Sequence, residues 1–213
     1  MEKVKTLGSW KEFEEQVLDF ESGNSGSTIL YRGQGRASWK LSSTLERIEN
    51  MPISFLDYYR RILSINPEIE AFTKEQWNIP EYDKYSKWVK DFDYLNSAIK
   101  PFFQSYEYFV YLRHHGYPSP LLDWTSSPYI AAFFAFEDAK KNGNVAIYSY
   151  QEMTDNLKET NSSNPQIKSL GPNVKGPKRH FLQKSQYTIS AKFENNGWQY
   201  APHNDVFNLD EPG

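Results

Sequence analysis

Short apolar runs typical of β-strands are interspersed along this chain with longer helical segments. The strand-like runs lie at residues 28–31, 145–148 and 187–190, whereas helical signals dominate residues 54–113. No regular strand–helix–strand order connects them, so the pattern favours an α+β fold. Because 213 residues are enough for a substantial core, we expect a single domain over the whole chain with a large helical insertion at about 54–113.

Capping residues and prolines predict where the helices begin. Ser9 and Glu12 form a capping box before apolar residues that recur every three or four positions. Within the insertion, Ser54 can cap the first helix, the Asn-Pro pair at 66–67 is expected to start a second, and Pro80 separates that helix from the next.

Two further segments have a distinct composition. Ser127-Pro128 opens a helix over 129–137 that is apolar nearly all round, and we therefore expect it to be buried. Residues 161–177 are rich in Asn, Ser, Pro and Gly, which predicts a long loop.

The composition narrows the class of protein. The chain has no cysteine, which excludes disulfides, thiolate catalysis and cysteine-bound zinc and fits a reducing compartment. No apolar stretch approaches the length of about 18 residues that a membrane span needs. Residues 1–5 lack an apolar signal segment, so we expect a cytoplasmic protein with no membrane partner. The net charge of -3 does not favour a general nucleic-acid binder.

Charge is nevertheless distributed unevenly near the C-terminus. Residues 160–193 contain six basic and no acidic side chains, whereas residues 194–213 contain four acidic and no basic ones. Two interpretations stay open: a solvated face, or an edge that faces the phosphates of a dinucleotide or of a nucleic-acid strand.

Two short motifs concentrate polar side chains within apolar surroundings. Residues 30–34 (Leu-Tyr-Arg-Gly-Gln) place Arg32 at the end of the first strand run beside Gly33, where the backbone can come close to a ligand. Residues 115–125 (His-Gly-Tyr-Pro-Ser-Pro-Leu-Leu-Asp-Trp-Thr) set a histidine and an aspartate between prolines and the next helix. We expect one polar site assembled from these two distant parts of the chain.

Three common types of site fit these residues poorly. Residues 33–38 nearly match the dinucleotide-binding fingerprint, but a serine replaces the third glycine and no helix start follows. The four histidines lack the spacing of a metal site, so we expect no metal. Ser119, His115 and Asp123 could form a hydrolytic triad, but no nucleophile elbow surrounds the serine.

Together with residues 179–188 (Arg-His-Phe-Leu-Gln-Lys-Ser-Gln-Tyr-Thr), the two motifs resemble the FRG domain family, which is named for its Phe/Tyr-Arg-Gly motif. The matching blocks are 31–34, 115–135 and 179–188, so the resemblance covers most of residues 28–190. The last block matches more loosely, because Ser185 stands where the family tends to have glycine.

A second, weaker resemblance is to the ADP-ribosyltransferase superfamily, in which NAD lies in the cleft of a split, mixed β-sheet. It implies NAD as the substrate, with Arg32 holding the phosphates or ribose and the turn at 125–127 bracing the cleft. Gln183 would stand where the superfamily has its catalytic glutamate. An amide is neutral and cannot act as a base, so Glu194 is a reserve candidate.

From the motifs and the resemblance together, we predict two sets of site residues. The catalytic set is Arg32, His115, Asp123 and Gln183. The NAD-binding set is Tyr31, Arg32, Gly33, Gln34, Thr125, Ser126 and Tyr129. Breaking the bond between nicotinamide and ribose builds positive charge on the ribose. Such a site also needs a cation for the diphosphate, a stacking surface for nicotinamide and an acceptor for the ribose hydroxyls.

Each central residue also has a structural alternative. Arg32 could be a buried arginine paired with Asp123, and His115 could hydrogen-bond the turn that follows it. Asp123 could cap the helix entry, and Gln183 could satisfy backbone groups in a loop.

The resemblance implies an NAD-dependent ADP-ribosyltransferase that modifies a macromolecule, similar to bacterial toxins of toxin–antitoxin or phage-defence systems. The basic stretch favours RNA or DNA over protein as the acceptor, and an antitoxin protein, with a chaperone, is the expected partner. Two other hypotheses stay open: a non-enzymatic module that binds a ligand or partner, and a metal-independent nuclease or hydrolase centred on His115 and Asp123.

Overall fold

The computed structural model describes residues 4–24, 26–48, 52–90, 105–139, 143–151, 165–172, 174 and 178–207. The helices are α1 (Trp10–Gly23), α2 (Phe55–Thr73), α3 (Tyr82–Lys90), α4 (Tyr106–His114), α5 (Pro128–Glu137), α6 (Lys178–Leu182) and α7 (His203–Phe207). The strands are β1 (Ile29–Gln34), β2 (Ile53–Ser54), β3 (Leu122–Thr125), β4 (Ala146–Gln151), β5 (Gln166–Ser169), β6 (Ser185–Glu194) and β7 (Gly197–Tyr200). The predicted α+β class is confirmed.

All described strands join one sheet in the order β2-β7-β6-β3-β1-β4, with β5 also paired to β6. Every pairing between these strands is antiparallel. The sheet was expected to be mixed, with both parallel and antiparallel pairs. Among the described strands, all neighbouring pairs are antiparallel, so this part of the expectation differs from the structure.

The long strand β6 divides this sheet into two wings. Thr188 pairs with both β3 and β5, and Ala191 pairs with both β5 and β7. A strand residue has two edges, so β3 and β7 must lie one after the other on the same edge of β6. One wing therefore contains β3, β1 and β4, and the other contains β7 and β2.

The predicted capping box begins α1. The Ser9 Oγ atom accepts a hydrogen bond from the Glu12 amide at 3.2 Å, and the Glu12 carboxylate accepts one from the Gly8 amide at 2.9 Å. Phe13 and Val17 are buried against the sheet layer, which fixes the inner face of the helix.

The helical insertion differs from its prediction at one proline. Ser54 caps α2 as expected, because its Oγ accepts from the Leu56 amide at 3.2 Å. Pro67, however, lies inside α2 instead of starting a second helix. A proline removes one helical hydrogen bond, but the preceding turns are held by buried side chains, so packing overrides the local signal. The buried residues of α2 are Phe55, Tyr58, Tyr59 and Ile62.

The insertion and the sheet share one aromatic core. Phe55 of α2 stacks on Tyr200 of β7 with ring centroids 4.2 Å apart, and Tyr59 stacks on Tyr85 of α3 at 3.5 Å. The α2 and α3 aromatic rings therefore pack directly against the β7 wing. Residues 91–104 of the predicted insertion lie outside the described part of the chain.

Helix α5 was expected to be buried all round, and this is wrong for its outer face. Pro128 and three alanines face the sheet, whereas Tyr129, Phe133 and Phe136 are each more than half exposed. Helix α5 packs on β1 through its inner face, which comes very close to the strand, and its opposite face is left to solvent. A Cβ added to Gly33 would lie 1.9 Å from the Ala131 carbonyl oxygen, so small residues alone fit between helix and strand.

Part of the predicted loop at 161–177 is a strand. Residues 166–169 form β5, which pairs with residues 188–191 of β6. The pairing supplies backbone hydrogen bonds that local composition does not reveal. Much of the remaining segment, residues 161–164, 173 and 175–177, lies outside the described part of the chain. None of the described helices has both the length and the apolar character of a membrane span.

Candidate functional site

The structure brings the two sequence motifs into contact through Arg32 and Asp123. Arg32 lies on β1, and its Nη1 atom donates a hydrogen bond to the backbone oxygen of Asp123 on β3 at 2.6 Å. The predicted alternative of a buried Arg32–Asp123 pair is therefore partly present, although the contact is to the Asp123 backbone and not to its carboxylate.

A second arginine, which the sequence analysis missed, takes the Asp123 carboxylate. Arg113, at the end of α4, forms an ion pair from Nη2 to Asp123 Oδ2. The two side chains are 19% and 37% exposed, so the pair is shielded from much of the solvent. The basic residue in the last turn of α4 was the available signal, but cations are common at helix C-termini for electrostatic reasons alone.

Positive charge exceeds negative charge at this place. Burial lowers the pKa of the Arg32 guanidinium, the Asp123 carboxylate opposes this effect, and the charges of Arg113 and Arg47 lower the pKa further. A guanidinium nevertheless stays protonated at neutral pH. We call Arg32, Arg47, Arg113 and Asp123 the arginine cluster: it contains three cations and the Asp123 carboxylate, and the Glu46 carboxylate also acts on Arg47.

Three polar atoms of the arginine cluster are buried without a hydrogen-bond partner among the described residues. They are Arg32 Nε, Arg113 Nε and Asp123 Oδ1. Leaving such an atom unpaired costs about 1–3 kcal/mol, and in native proteins each such atom has a cause, such as an ordered water, a bound ion or group, or functional strain. A ligand that carries both an anion and a hydroxyl offers partners to two donors and one acceptor.

Tyr187 on β6 lies next to the arginine cluster, because it pairs directly with Asp123 across the sheet. Its hydroxyl is within hydrogen-bonding distance of His114 Nε2 at 2.8 Å and of His180 Nδ1 at 3.1 Å. Burial raises the pKa of the Tyr187 hydroxyl, and the Asp123 charge raises it further. These three side chains were not predicted as site residues.

His115, which was predicted to be catalytic, makes its contacts elsewhere. Its Nδ1 lies 2.8 Å from the Tyr111 carbonyl oxygen, and its exposed ring stacks on the Tyr111 ring at 4.0 Å. It lines an open pocket of about 360 Å³ at the end of α4. These contacts correspond to the structural alternative, in which the histidine supports the helix end and the following turn.

The turn after β3 braces the sheet. The Thr125 hydroxyl donates to the Gln183 carbonyl oxygen at 2.7 Å and accepts from the Ser127 amide at 3.1 Å. The Ser126 amide donates to the Lys184 carbonyl oxygen at 3.2 Å. Gln183 thus contributes its backbone to this brace, and no hydrogen bond to its side-chain amide is described. The implied role of this turn in bracing an NAD cleft stays a prediction.

The predicted NAD-binding residues of β1 serve mainly to join the strand to its neighbours. Tyr31 is buried, and its hydroxyl donates to Glu21 of α1 at 2.9 Å. Gly33 leaves the space that the close approach of α5 requires. Gln34 is also buried, and its Nε2 has no partner within the described chain.

Two other predicted residues lie apart from the arginine cluster. Tyr129 sits on the outer face of α5, where it packs 6.1 Å from the Trp10 ring. Glu194 lies seven residues beyond Tyr187 along β6, a distance of about 23 Å along an extended strand, and it pairs with Lys192 at 2.7 Å. The reserve carboxylate is therefore not close to Arg32.

A second buried network holds the sheet behind the site. Glu46 Oε1 lies 2.5 Å from His203 Nδ1, His203 Nε2 lies 3.1 Å from Thr188 Oγ1, and the indole of Trp124 donates to the same Oγ1 at 2.9 Å. Trp124 and Thr188 are the chain neighbours of Asp123 and Tyr187. The network therefore fixes β3 and β6 where they carry the site.

The Glu46 carboxylate makes this network dependent on pH. Burial by itself would raise the pKa of Glu46, but the hydrogen bonds and charge of His203 outweigh burial and hold it below the ordinary value of 4.5. A carboxylate with a lowered pKa in the folded state stabilises the fold at pH values above its ordinary pKa, and this contribution is lost as the pH falls through the lowered value.

We therefore expect Glu46→Gln to destabilise the fold by about 2–4 kcal/mol at pH 7, because it breaks a buried pair. The difference from the unsubstituted protein should shrink as the pH falls below 4.5. Urea unfolding at pH 7 and at about pH 3.5 measures both. The control is Glu15→Gln, which breaks an exposed pair with Lys11 and should change stability by less than about 0.5 kcal/mol. If Glu46→Gln lowered stability equally at both pH values, the pH dependence assigned to Glu46 would be contradicted.

Among known proteins, the family model of the FRG domain matches residues 27–144, which is more than half of the chain. The chain therefore belongs to the FRG domain family. The match includes the Arg32 and Asp123 motifs and ends before the third block at 179–188. Neither the curated proteins nor the solved structures that were compared with the chain contain a match.

Proposed function

We propose that this FRG domain binds NAD through its diphosphate at the arginine cluster and transfers ADP-ribose to a macromolecule. The observation that carries the proposal is the set of unpaired buried polar atoms on Arg32, Arg113 and Asp123. The guanidinium groups suit a diphosphate, because charged hydrogen bonds from arginine to phosphate oxygens are strong and directional.

The division of the sheet at β6 supports the same proposal. Arg32 on β1 and Asp123 on β3 belong to one wing, and Tyr187 lies on the half of β6 that pairs with this wing. The second wing begins further along β6, at the residues that pair with β7. A cleft at such a division is where the superfamily to which the motifs are similar holds NAD.

In this proposal each polar group has a defined task. Arg32 and Arg113 neutralise the diphosphate, and the free oxygen of Asp123 accepts a hydrogen bond from a ribose hydroxyl. Asp123 would also favour the positive charge that develops on the ribose as nicotinamide leaves. Gln183 can orient a hydroxyl through its amide, but it cannot take a proton.

A second candidate function is the binding of NAD, or of another phosphate-bearing ligand, without transfer. The neutral Gln183 and the distance of Glu194 favour it, because among the described residues Asp123 is the one carboxylate hydrogen-bonded within the arginine cluster. The nuclease hypothesis has less support, since His115 contacts Tyr111 and Asp123 contacts arginines. Within the described chain, no group of three metal-ligating side chains is present.

The distribution of charge supports one class of acceptor. We infer RNA or DNA in preference to protein, because residues 160–193 carry six basic and no acidic side chains. A toxin or phage-defence role in the cytoplasm, with an antitoxin protein and a chaperone as partners, belongs to the same proposal.

The experiment combines the purified chain with NAD labelled in its ADP-ribose part and with separate pools of RNA, DNA and cell protein. Label in one pool, accompanied by nicotinamide release, supports the transferase and identifies the acceptor class. NAD binding without nicotinamide release favours the second candidate. If NAD does not bind, both the transferase and the binding of NAD without transfer are contradicted.

A further inference from the structure

A row of exposed aromatic residues runs along the outer face of α5. Tyr129, Phe133 and Phe136 follow one another at intervals of four and three residues, so they lie on one face of the helix over a length of about 10 Å. Their exposed fractions are 52%, 60% and 58%. The buried residues of α5 are on its other face, so this row does not hold the helix to the sheet.

Helix α1 extends the row on one side. Trp10 is 48% exposed, and the centroid of its ring lies 6.1 Å from that of Tyr129. Phe13 meets the Tyr129 ring edge-on at 6.4 Å and belongs with Val17 and Ala132 to one buried cluster. The two helices therefore lie side by side. We call the four exposed residues the aromatic strip: Trp10, Tyr129, Phe133 and Phe136.

The aromatic strip is large enough to be a binding surface. Four aromatic side chains of about 150–250 Å² each, when about half exposed, present about 300–500 Å² together. The largest apolar patch on a typical monomer has a similar area and is often functional. A standard protein interface buries about 800 Å² on each partner, so the aromatic strip suits a single helix better than a whole second domain.

The charge beside the aromatic strip is acidic. Helix α1 contains five acidic residues and one basic residue, Lys11, which pairs with Glu15. Glu14 follows Trp10 by four residues and so lies next to it on the same face of α1. It is half-buried, and its carboxylate makes neither a hydrogen bond nor an ion pair within the part of the chain that the structure describes. A cation is the group that this carboxylate lacks.

This charge decides between the possible partners. Acidic side chains repel the phosphates of nucleic acids and of anionic membranes. A second copy of the chain would bring the same acidic α1 against the first. An amphipathic helix with lysine or arginine beside its apolar face is attracted instead, and apolar side chains spaced by three and four residues match a helical row of rings.

We propose that the aromatic strip and Glu14 form a docking surface for a basic amphipathic helix of a partner protein. The apolar face of that helix covers the aromatic rings, and one of its cations pairs with the Glu14 carboxylate. Covering the rings removes apolar surface from water, which is the main favourable contribution to such docking. The proposal involves no residue of the arginine cluster, so it does not depend on NAD.

The test uses a fluorescent synthetic peptide of about 18 residues, a length that can form a stable helix on docking. It contains leucine, lysine and alanine, with the leucines on one helical face. We expect saturable, one-to-one binding to the full chain in fluorescence anisotropy. A peptide with glutamate in place of every lysine should bind at least about 10-fold more weakly. A peptide of the same composition, scrambled so that no apolar face forms, should also bind at least about 10-fold more weakly.

Substitutions locate the peptide on the protein. Phe133→Ala should weaken binding by about 10-fold, as expected for a central aromatic residue. Its control is Phe72→Ala, which removes an exposed ring from α2 and should change the Kd by less than about twofold. Glu14→Gln should weaken binding by about fivefold, whereas Glu15→Gln, with the same change in charge, should have less than about a twofold effect. Equal Tm values show that all four variants fold.

Several results would overturn the proposal. Equal binding of the lysine and glutamate peptides would contradict the basic partner, and equal losses in Phe133→Ala and Phe72→Ala would place the peptide elsewhere. A dimer of the free chain in analytical ultracentrifugation that Phe133→Ala abolishes would assign the aromatic strip to a second copy. Binding to phosphatidylserine vesicles that Phe133→Ala abolishes would assign it to a membrane. None of these results bears on nicotinamide release, so this proposal and the proposed transferase fail separately.

Discussion

Gly33→Ala is expected to destabilise this protein by about 3 kcal/mol or more, because the added methyl group has no space. A Cβ at this position would lie 1.9 Å from the Ala131 carbonyl oxygen and 2.7 Å from the Ala135 amide nitrogen, and both are backbone atoms of α5. The backbone cannot rotate away as a side chain can, so α5 must move off β1. Overpacking of this severity lies at or beyond the upper end of the usual range of about 1–3 kcal/mol.

Thermal unfolding measures the effect, and a decrease in Tm of about 6–12 °C is expected for a chain of this length. Gly23→Ala is the matched control, because no atom lies within 4 Å of a Cβ added in α1. That change should alter stability by less than about 0.5 kcal/mol, because Gly23 is the last residue of α1 and the full helical preference of alanine applies only to helix interiors. Equal Tm values for Gly33→Ala and the unsubstituted protein would show that α5 does not pack on β1 as described.

Arg32→Ala is expected to lower kcat/KM for nicotinamide release by about 100-fold. The guanidinium provides the charge for the diphosphate and holds the Asp123 backbone oxygen at 2.6 Å, so both the ligand and β3 lose a partner. Truncating one partner of a buried, hydrogen-bonded charge costs about 2–5 kcal/mol. Arg32→Lys keeps the charge but not the planar, two-pronged geometry, and it should recover only part of the loss.

Arg60→Ala is the matched control for charge. Arg60 lies on α2, is more than half exposed and pairs with Asp57 at 3.0 Å. Arg60→Ala removes one positive charge from the protein, as Arg32→Ala does, but it leaves the arginine cluster intact. The value of kcat/KM should therefore stay within about twofold of that of the unsubstituted protein. An equal loss in both variants would mean that net charge, and not the arginine cluster, controls the reaction.

The two motifs predicted the meeting of Arg32 and Asp123 because each places a charged side chain on an apolar strand run, and these two strands, β1 and β3, pair in the sheet. The pattern could not tell which histidine of the adjacent pair faces the site. Consecutive residues on a helix differ by about 100° in direction, so His114 reaches Tyr187 while His115 stacks on Tyr111. That choice depends on how α4 is rotated against the sheet, which only the tertiary packing determines.

Other differences have the same origin in long-range contacts. Pro67 is a strong local signal for a helix start, but the buried first turns of α2 hold one continuous helix. Gly33 suggested room for a ligand, whereas the space is filled by α5. Arg113 and Tyr187 could not be singled out, because a basic residue late in a helix and a tyrosine in an apolar strand are both ordinary features.

The most direct test of the central claim is a calorimetric titration of the purified chain with NAD, ADP-ribose and nicotinamide riboside, which lacks the diphosphate. The account predicts that NAD and ADP-ribose bind at one common site, that binding weakens as salt is added, and that the riboside does not bind. Binding of the riboside as strongly as NAD, or no binding of NAD at all, would contradict the assignment of the arginine cluster to the NAD diphosphate.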